Sequence, residues 1–236
     1  MKIVQRNISL DFKREITEKT GIVYHWTAGN MPGAELELAK PDMINVPFII
    51  CRNGQINQYF DTNFWAYHTG TGNDKHNIGI EIECWGGLTM RSGFLVPWTN
   101  SIKQAVSMEK AVMLNHFRGN EWFELLTLKQ LDAIDWLTGY LVDKHPTIKR
   151  FSTHAELNNG KADFPPDYHQ IYNIIQKYRS LANLGKHSLT DKNEIPNGFE
   201  HEFNSKQIQD RINWLIKNNG WSNDELKRLT KYRDRK

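Results

Sequence analysis

The chain has 236 residues, 39% of them hydrophobic and 24% charged, a globular composition that excludes wholesale disorder and leaves room for one substantial domain with an appendage. Its formal net charge of +3 is too small to mark a nucleic-acid binder. No stretch approaches the roughly 20 apolar residues that span a bilayer, and two cysteines make no disulfide framework.

Charges interrupt residues 1–19 every few positions, so they contain no apolar core of signal-peptide length. A protein made soluble in a cytosol is expected, reaching any outside target by another delivery route. Residues 21–25 read as a short strand ending at His25, closed by the turn-rich Thr27-Ala28-Gly29-Asn30. Residues 46–51 and 55–60 are apolar runs joined by Arg52-Asn53-Gly54, and Asn-Gly between such runs predicts a hairpin. Cys51 and Cys84 both fall in apolar strand-like stretches, so buried free thiols are expected.

Residues 78–84 alternate cleanly. Ile78, Ile80 and Ile82 share one face, and Gly79, Glu81 and Glu83 share the other. Two carboxylates on one face of an apolar strand fit either a solvated face or a catalytic acid. Residues 88–98 predict a second hairpin turning at Ser92-Gly93.

Thr127 with Gln130 forms a capping box ahead of Leu131, Ile134, Leu137 and Leu141, which predicts a helix to Lys144 before His145-Pro146. Residues 148–151 lead into His154 and the loop that follows it. A second helix is predicted over residues 168–181, with Ile171, Ile174, Ile175 and Tyr178 on one face. Polar residues 182–198, with Gly, Pro, Asn and Asp, read as a linker. Beyond it, Asn204 or Ser205 starts a helix with Ile208, Ile212, Leu215 and Ile216 on its apolar side, and Ser222 with Glu225 caps another. Residues 206–236 carry nine Lys and Arg against four Asp and Glu, a surplus that suits an anionic surface or a solvated helix face.

Three features of this pattern bear on chemistry. His25 and His154 both stand at strand ends, Asp163 follows His154 by nine residues, and Lys161 precedes that Asp by two. Two neutral imidazoles, a carboxylate and a water are the ligand set of a catalytic zinc, although this spacing alone is unspecific.

The segments YHWTAG, YHTGTGNDKHNIGIEIE and THAELNNGKADFPP resemble the zinc-dependent N-acetylmuramoyl-L-alanine amidases, in the same order over about residues 20–178. That resemblance implies an α/β (α+β) fold, a central mixed β-sheet flanked by helices, here with a short C-terminal helical extension. It implies zinc bound by His25, His154 and Asp163, with Glu81 as general base and Lys161 stabilising the oxyanion. Glu83, on the face of Glu81, is the competing base. His68 corresponds to a histidine that contacts substrate near the metal, the other reading being a surface residue. Trp65 and Trp85 are candidates for a sugar groove, against a core role for each. His76 and His116 carry no argued role.

The implied organisation is a catalytic domain over 1–181, a linker over 182–198 and a basic helical extension over 199–236. The implied partner is peptidoglycan, with no nucleic acid and no transmembrane segment, and the implied role is phage-type lysis of the wall. A non-catalytic peptidoglycan-binding module is the alternative. Its discriminator is loss of ligands, and all of them are present here. Two departures stand out: Phe164-Pro165-Pro166 follows Asp163 where the family has Pro-Gly, and residues 85–125 are longer than in minimal members.

Overall fold

A computed structural model describes residues 1–41, 45–116, 119–183, 205–219 and 224–233. The chain divides into two compact units, Met1–His187 and Ser188–Lys236.

The first unit is built on a six-stranded mixed sheet in the order β1-β4-β3-β5-β2-β10. Its strands are β1 (Ile3–Gln5), β2 (Gly21–Trp26), β3 (Phe48–Ile50), β4 (Ile56–Gln58), β5 (Asn77–Ile82) and β10 (Arg150–Thr153). Strands β3, β5, β2 and β10 run parallel, and β3–β4 is the antiparallel hairpin predicted around Asn53-Gly54. Gly54 has φ +83° there, the left-handed conformation the turn demands. β2 and β5 are central and buried on both faces, and β2 accordingly reads as a nearly continuous apolar run.

Register decides which side chains meet. Ile49, Glu81 and His25 are cross-strand neighbours on β3, β5 and β2, so they share one face. On the opposite face Tyr24 bonds to Thr138 of α2 (Leu128–Lys144), hydroxyl to hydroxyl at 2.8 Å. The predicted capping box of Thr127 and Gln130 is present at the start of α2. α2 buries Ala133, Ile134, Leu137 and Leu141, while α4 (His169–Asn183) buries Ile171, Ile174, Ile175 and Tyr178. The Tyr178 hydroxyl donates to the carbonyl of Asp135 on α2 at 2.7 Å, and Arg179 donates to the carbonyl of Phe151 on β10 at 2.6 Å. The short α1 (Gly33–Leu38) contributes Leu38 to a cluster with Val46, Ile49, Tyr59, Phe60 and Ala66. The last short helix of this unit, α3 (His154–Leu157), is capped by Thr153 and Glu156.

Residues 85–125 form a second, antiparallel sheet in the order β7-β6-β9-β8. It comprises β6 (Gly87–Arg91), β7 (Phe94–Val96), β8 (Ala111–His116) and β9 (Gly119–Glu124). The β6–β7 hairpin turns at Ser92-Gly93 as predicted, with φ +48° and +82°. β8, β9, β1 and α1 are not foreseen in the sequence. β1 is three residues long, and the sequence of β8 and β9 alternates too weakly to be read without its partners.

The second unit holds α5 (Ser205–Asn219) and α6 (Asp224–Arg233), joined through a small core of Ile208, Ile212, Leu226 and Leu229 with Ile216. Most of the expected linker, Asn204, the side chain of Leu215 and the Ser222 cap lie outside the described residues. Among the described residues no helix is long and apolar enough to cross a membrane. Cys51 and Cys84 are free and buried, as expected.

Candidate metal centre

The parallel strands β2, β5 and β10 deliver their C-terminal ends to one place, the usual position for a site in a sheet of this kind. His25 stands near the end of β2 and His154 directly follows β10, whose Thr153 pairs with Tyr24. Asp163 arrives on the loop after α3, where its carbonyl accepts from the amide of Ala155 at 3.2 Å. The next residue, Phe164, is fully buried at φ +53° and packs against Trp26 and Tyr168, ring centroids 5.3 and 5.1 Å away. A non-glycine residue in that conformation costs about 1 kcal/mol. Burial of the Phe164 ring offsets this, and it keeps Asp163 in place without the Pro-Gly pair.

Three atoms converge. His25 Nδ1 lies 3.0 Å from His154 Nδ1, His154 Nδ1 lies 3.1 Å from Asp163 Oδ2, and His25 Nδ1 lies 3.5 Å from the same oxygen. Tautomer chemistry makes this grouping informative. His154 Nε2 faces the carbonyl of Thr69 at 3.1 Å, and a carbonyl only accepts, so that nitrogen carries the hydrogen. Nδ1 of a neutral His154 therefore presents a lone pair to a second imidazole nitrogen and to a carboxylate. Such an arrangement is able to hold a metal cation at its centre. Ligand atoms about 2 Å from a tetrahedral zinc stand roughly 3.3 Å apart, and the three observed separations bracket that value. The donor set fits zinc.

Behind His25 lies a polar array. His25 Nε2 is 3.0 Å from His68 Nδ1, and His68 Nε2 lies 3.9 Å from Asp74 Oδ1. Asp74 Oδ1 accepts from the amides of His68 and Thr69 and from the Thr69 hydroxyl. Gly79 makes room for this histidine, since a Cβ there would stand 3.0 Å from His68 Nδ1 and 2.6 Å from Val46. His68 is buried rather than a surface residue, with its ring on the far side of His25 from Asp163. Burial, reinforced by the neighbouring His25, pushes His68 down to about 3, so it stays neutral. Burial also lowers His25. For Asp163 burial opposes ionisation, but the imidazoles of His154 and His25 beside it outweigh burial and hold the carboxyl below its usual range.

Glu81 and Lys161 line the same cavity as the three ligand residues, about 200 Å³ in volume, along with Thr27, Glu37, Leu38, Ile49 and His68. Glu81 Oε2 is buried and has no hydrogen-bond partner. Burial, then the charge of Asp163, raises its carboxyl to about 8. Glu83, two residues on, is differently occupied. Its oxygens accept from the amides of Met31 at 2.9 Å and Arg52 at 2.8 Å, so it serves to tie loops together.

Neither sequence-predicted tryptophan lines this cavity. Trp85 is 9% exposed in a cluster with Leu88 and Leu95. Trp65 is half-buried, edge-on to Tyr67, with its indole donating to Glu15 at 3.3 Å. The contributions of Thr69 and Asp74 were not foreseen. The Thr-Gly-Thr-Gly-Asn-Asp run reads locally as a turn, and only its placement behind the two histidines gives it a task.

The family model for N-acetylmuramoyl-L-alanine amidases matches residues 17–167. Among solved structures, the amidase LysC of Clostridium intestinale URNW is similar at 18% identity, covering 75% of this chain and 97% of its own, with a TM-score of 0.48. A selenomethionine derivative of AmpD is similar at 18% identity, 72% and 93% coverage and a TM-score of 0.47. A mutant endolysin from Bacillus subtilis is similar at 16% identity, 76% and 97% coverage and a TM-score of 0.46. No curated protein matches the chain.

Proposed function

This chain belongs to the N-acetylmuramoyl-L-alanine amidase family, and on that premise we propose that it is a zinc enzyme cutting the amide between the lactyl group of N-acetylmuramic acid and L-alanine in peptidoglycan. One observation carries the reading. Three ligand atoms able to hold a metal ion converge in the cavity that also holds a buried carboxyl oxygen with no hydrogen-bond partner.

His25, His154 and Asp163 would hold the ion, which when bound supplies a Lewis acid for the scissile carbonyl and a water acidic enough to react near neutral pH. Glu81 takes the proton of the attacking water at Oε2. It returns that proton to the alanine nitrogen as the C–N bond breaks, so the amine leaves neutral. A cation held by the three ligands would draw the Glu81 carboxyl back down from about 8, toward a base at neutral pH. The Lys161 ammonium, at the same cavity, balances the negative carbonyl oxygen of the tetrahedral state. His68 and the Thr69 carbonyl orient the two ligand imidazoles from behind.

A lytic, phage-type role completes the proposal. The helical unit after His187 supports it, being more than hydrolysis of a small muropeptide requires. The test is incubation with purified peptidoglycan, with and without a chelator, counting newly exposed alanine α-amines. Release that a chelator abolishes and added zinc restores is expected, with about one zinc per chain by elemental analysis. No release by metal-replete protein, or undiminished release by Glu81→Gln, overturns the mechanism.

A further inference from the structure

Trp98 is the most exposed of the described tryptophans, 69% accessible, although the rest of its surroundings hold it firmly. It follows Pro97 at the end of β7, in a turn closed by the amide of Asn100 donating to the carbonyl of Pro97 at 2.8 Å. The Thr99 hydroxyl donates to Gln104 Oε1 at 2.6 Å on the far side of the turn. The indole Nε1 donates to the carbonyl of Ala28 at 2.6 Å. That bond spends the ring's one polar atom. What remains in water is a fixed apolar plate, the form in which tryptophan serves at interfaces that are apolar on one side and wet on the other.

The plate is tied to a loop that reaches the cavity. Ala28 adjoins Thr27, which lines the cavity, and lies three residues beyond His25. The loop is itself fastened over the end of β5, with the amide of Thr27 on the carbonyl of Ile82 at 3.1 Å and that of Gly29 on Cys84 at 3.0 Å. Trp98 thus follows a strand of the second sheet but is bonded to the loop that leaves the strand bearing His25.

We propose that Trp98 is a sugar-stacking subsite, receiving an N-acetylated pyranose of the glycan strand next to the muramoyl residue whose amide is cut. This rests on the amidase reading. A pyranose presents a face of C–H groups that packs onto the electron-rich face of an indole. A stem peptide would need donors and acceptors, and this side chain has none left to offer.

The experiment compares wild type, Trp98→Ala, Trp98→Tyr and Phe94→Ala, another exposed aromatic of the same sheet. Each is assayed on glycan strands bearing stem peptides and on a soluble muramoyl peptide with no adjoining sugar. Stacking on an aromatic face predicts that Trp98→Ala lowers the strand-to-fragment ratio of kcat/KM by about tenfold, through KM, with Trp98→Tyr recovering part of the loss. Phe94→Ala leaves the ratio where it was. Binding of N-acetylglucosamine oligomers to metal-free protein, measured by calorimetry, weakens by a similar factor in Trp98→Ala. An unchanged ratio together with unchanged oligomer binding overturns the proposal. If wild type cuts neither substrate, the amidase reading fails, and the oligomer titration still decides the role of Trp98.

Discussion

Two clusters of buried charge lie near the same end of the main sheet, and they are put together in opposite ways. In the first, Arg52 donates to both oxygens of Glu124, whose Oε2 also accepts from the amide of Trp85 at 2.7 Å. Glu83 accepts from the amides of Met31 and Arg52, and its own carbonyl accepts from Gln130 of α2 at 2.8 Å. These carboxylate oxygens all have partners, and the cluster joins β5, the β3–β4 turn and the second sheet. In the second, ligand atoms of His25, His154 and Asp163 lie within 4.8 Å of one another, and Glu81 Oε2 has no hydrogen-bond partner. Satisfied buried charge holds a fold together, whereas unsatisfied buried charge is retained at a cost that chemistry must justify.

Glu81→Gln tests the second cluster hardest. It should cut kcat on peptidoglycan by roughly 10²–10⁴-fold, the span usual for a lost general base, with zinc content and circular dichroism unchanged. An activity loss accompanied by unfolding would place Glu81 with the structural cluster and break the contrast.

Arg52→Ala tests the first. Leaving Glu124 without its ion pair should cost about 3–5 kcal/mol in thermal or denaturant unfolding. Far below the new midpoint, kcat should stay as it was. A loss under about 1 kcal/mol would mean the cluster is a weak surface pair and not a fastening.

The smallest effect sharpens the comparison through pH. In metal-free protein the Glu81 carboxyl is raised from 4.5 to about 8, so the folded state holds a proton that the unfolded state releases. The Glu81 contribution to stability should therefore be greatest below about 4.5 and be lost as pH rises through about 8. Glu81→Gln removes this slope, and its midpoint should exceed that of wild type by a few °C at pH 8–9. Saturating zinc should flatten the wild-type profile toward that of the variant. A slope that Glu81→Gln leaves intact would assign the proton to another group.

Much of the fold was legible because its signals are local. Asn53-Gly54 and Ser92-Gly93 dictate hairpins through positive φ, and Thr127 with Gln130 dictates a helix start through two hydrogen bonds within four residues. The convergence of His25, His154 and Asp163 was reached through resemblance, since a histidine at a strand end carries no such information alone. β8 and β9 were missed because neither has a strong pattern until the other is beside it.

The sequence by itself determined the central strands, the two long helices and the alternation that sets Glu81 and Glu83 apart from Ile80 and Ile82. Only the tertiary structure tells the surroundings of those two carboxyls apart. Their alternation is identical, and what separates them is the arrival of the Met31 and Arg52 amides at Glu83 from 52 and 31 residues away. The same holds for His68. Whether it meets substrate, solvent or a ligand imidazole depends on parallel pairing that brings β2 against β5 and leaves Gly79 without a side chain in its path. Partners distant in the chain fill the hydrogen-bonding capacity of Glu83 and leave that of Glu81 Oε2 unfilled, and no local pattern encodes that difference.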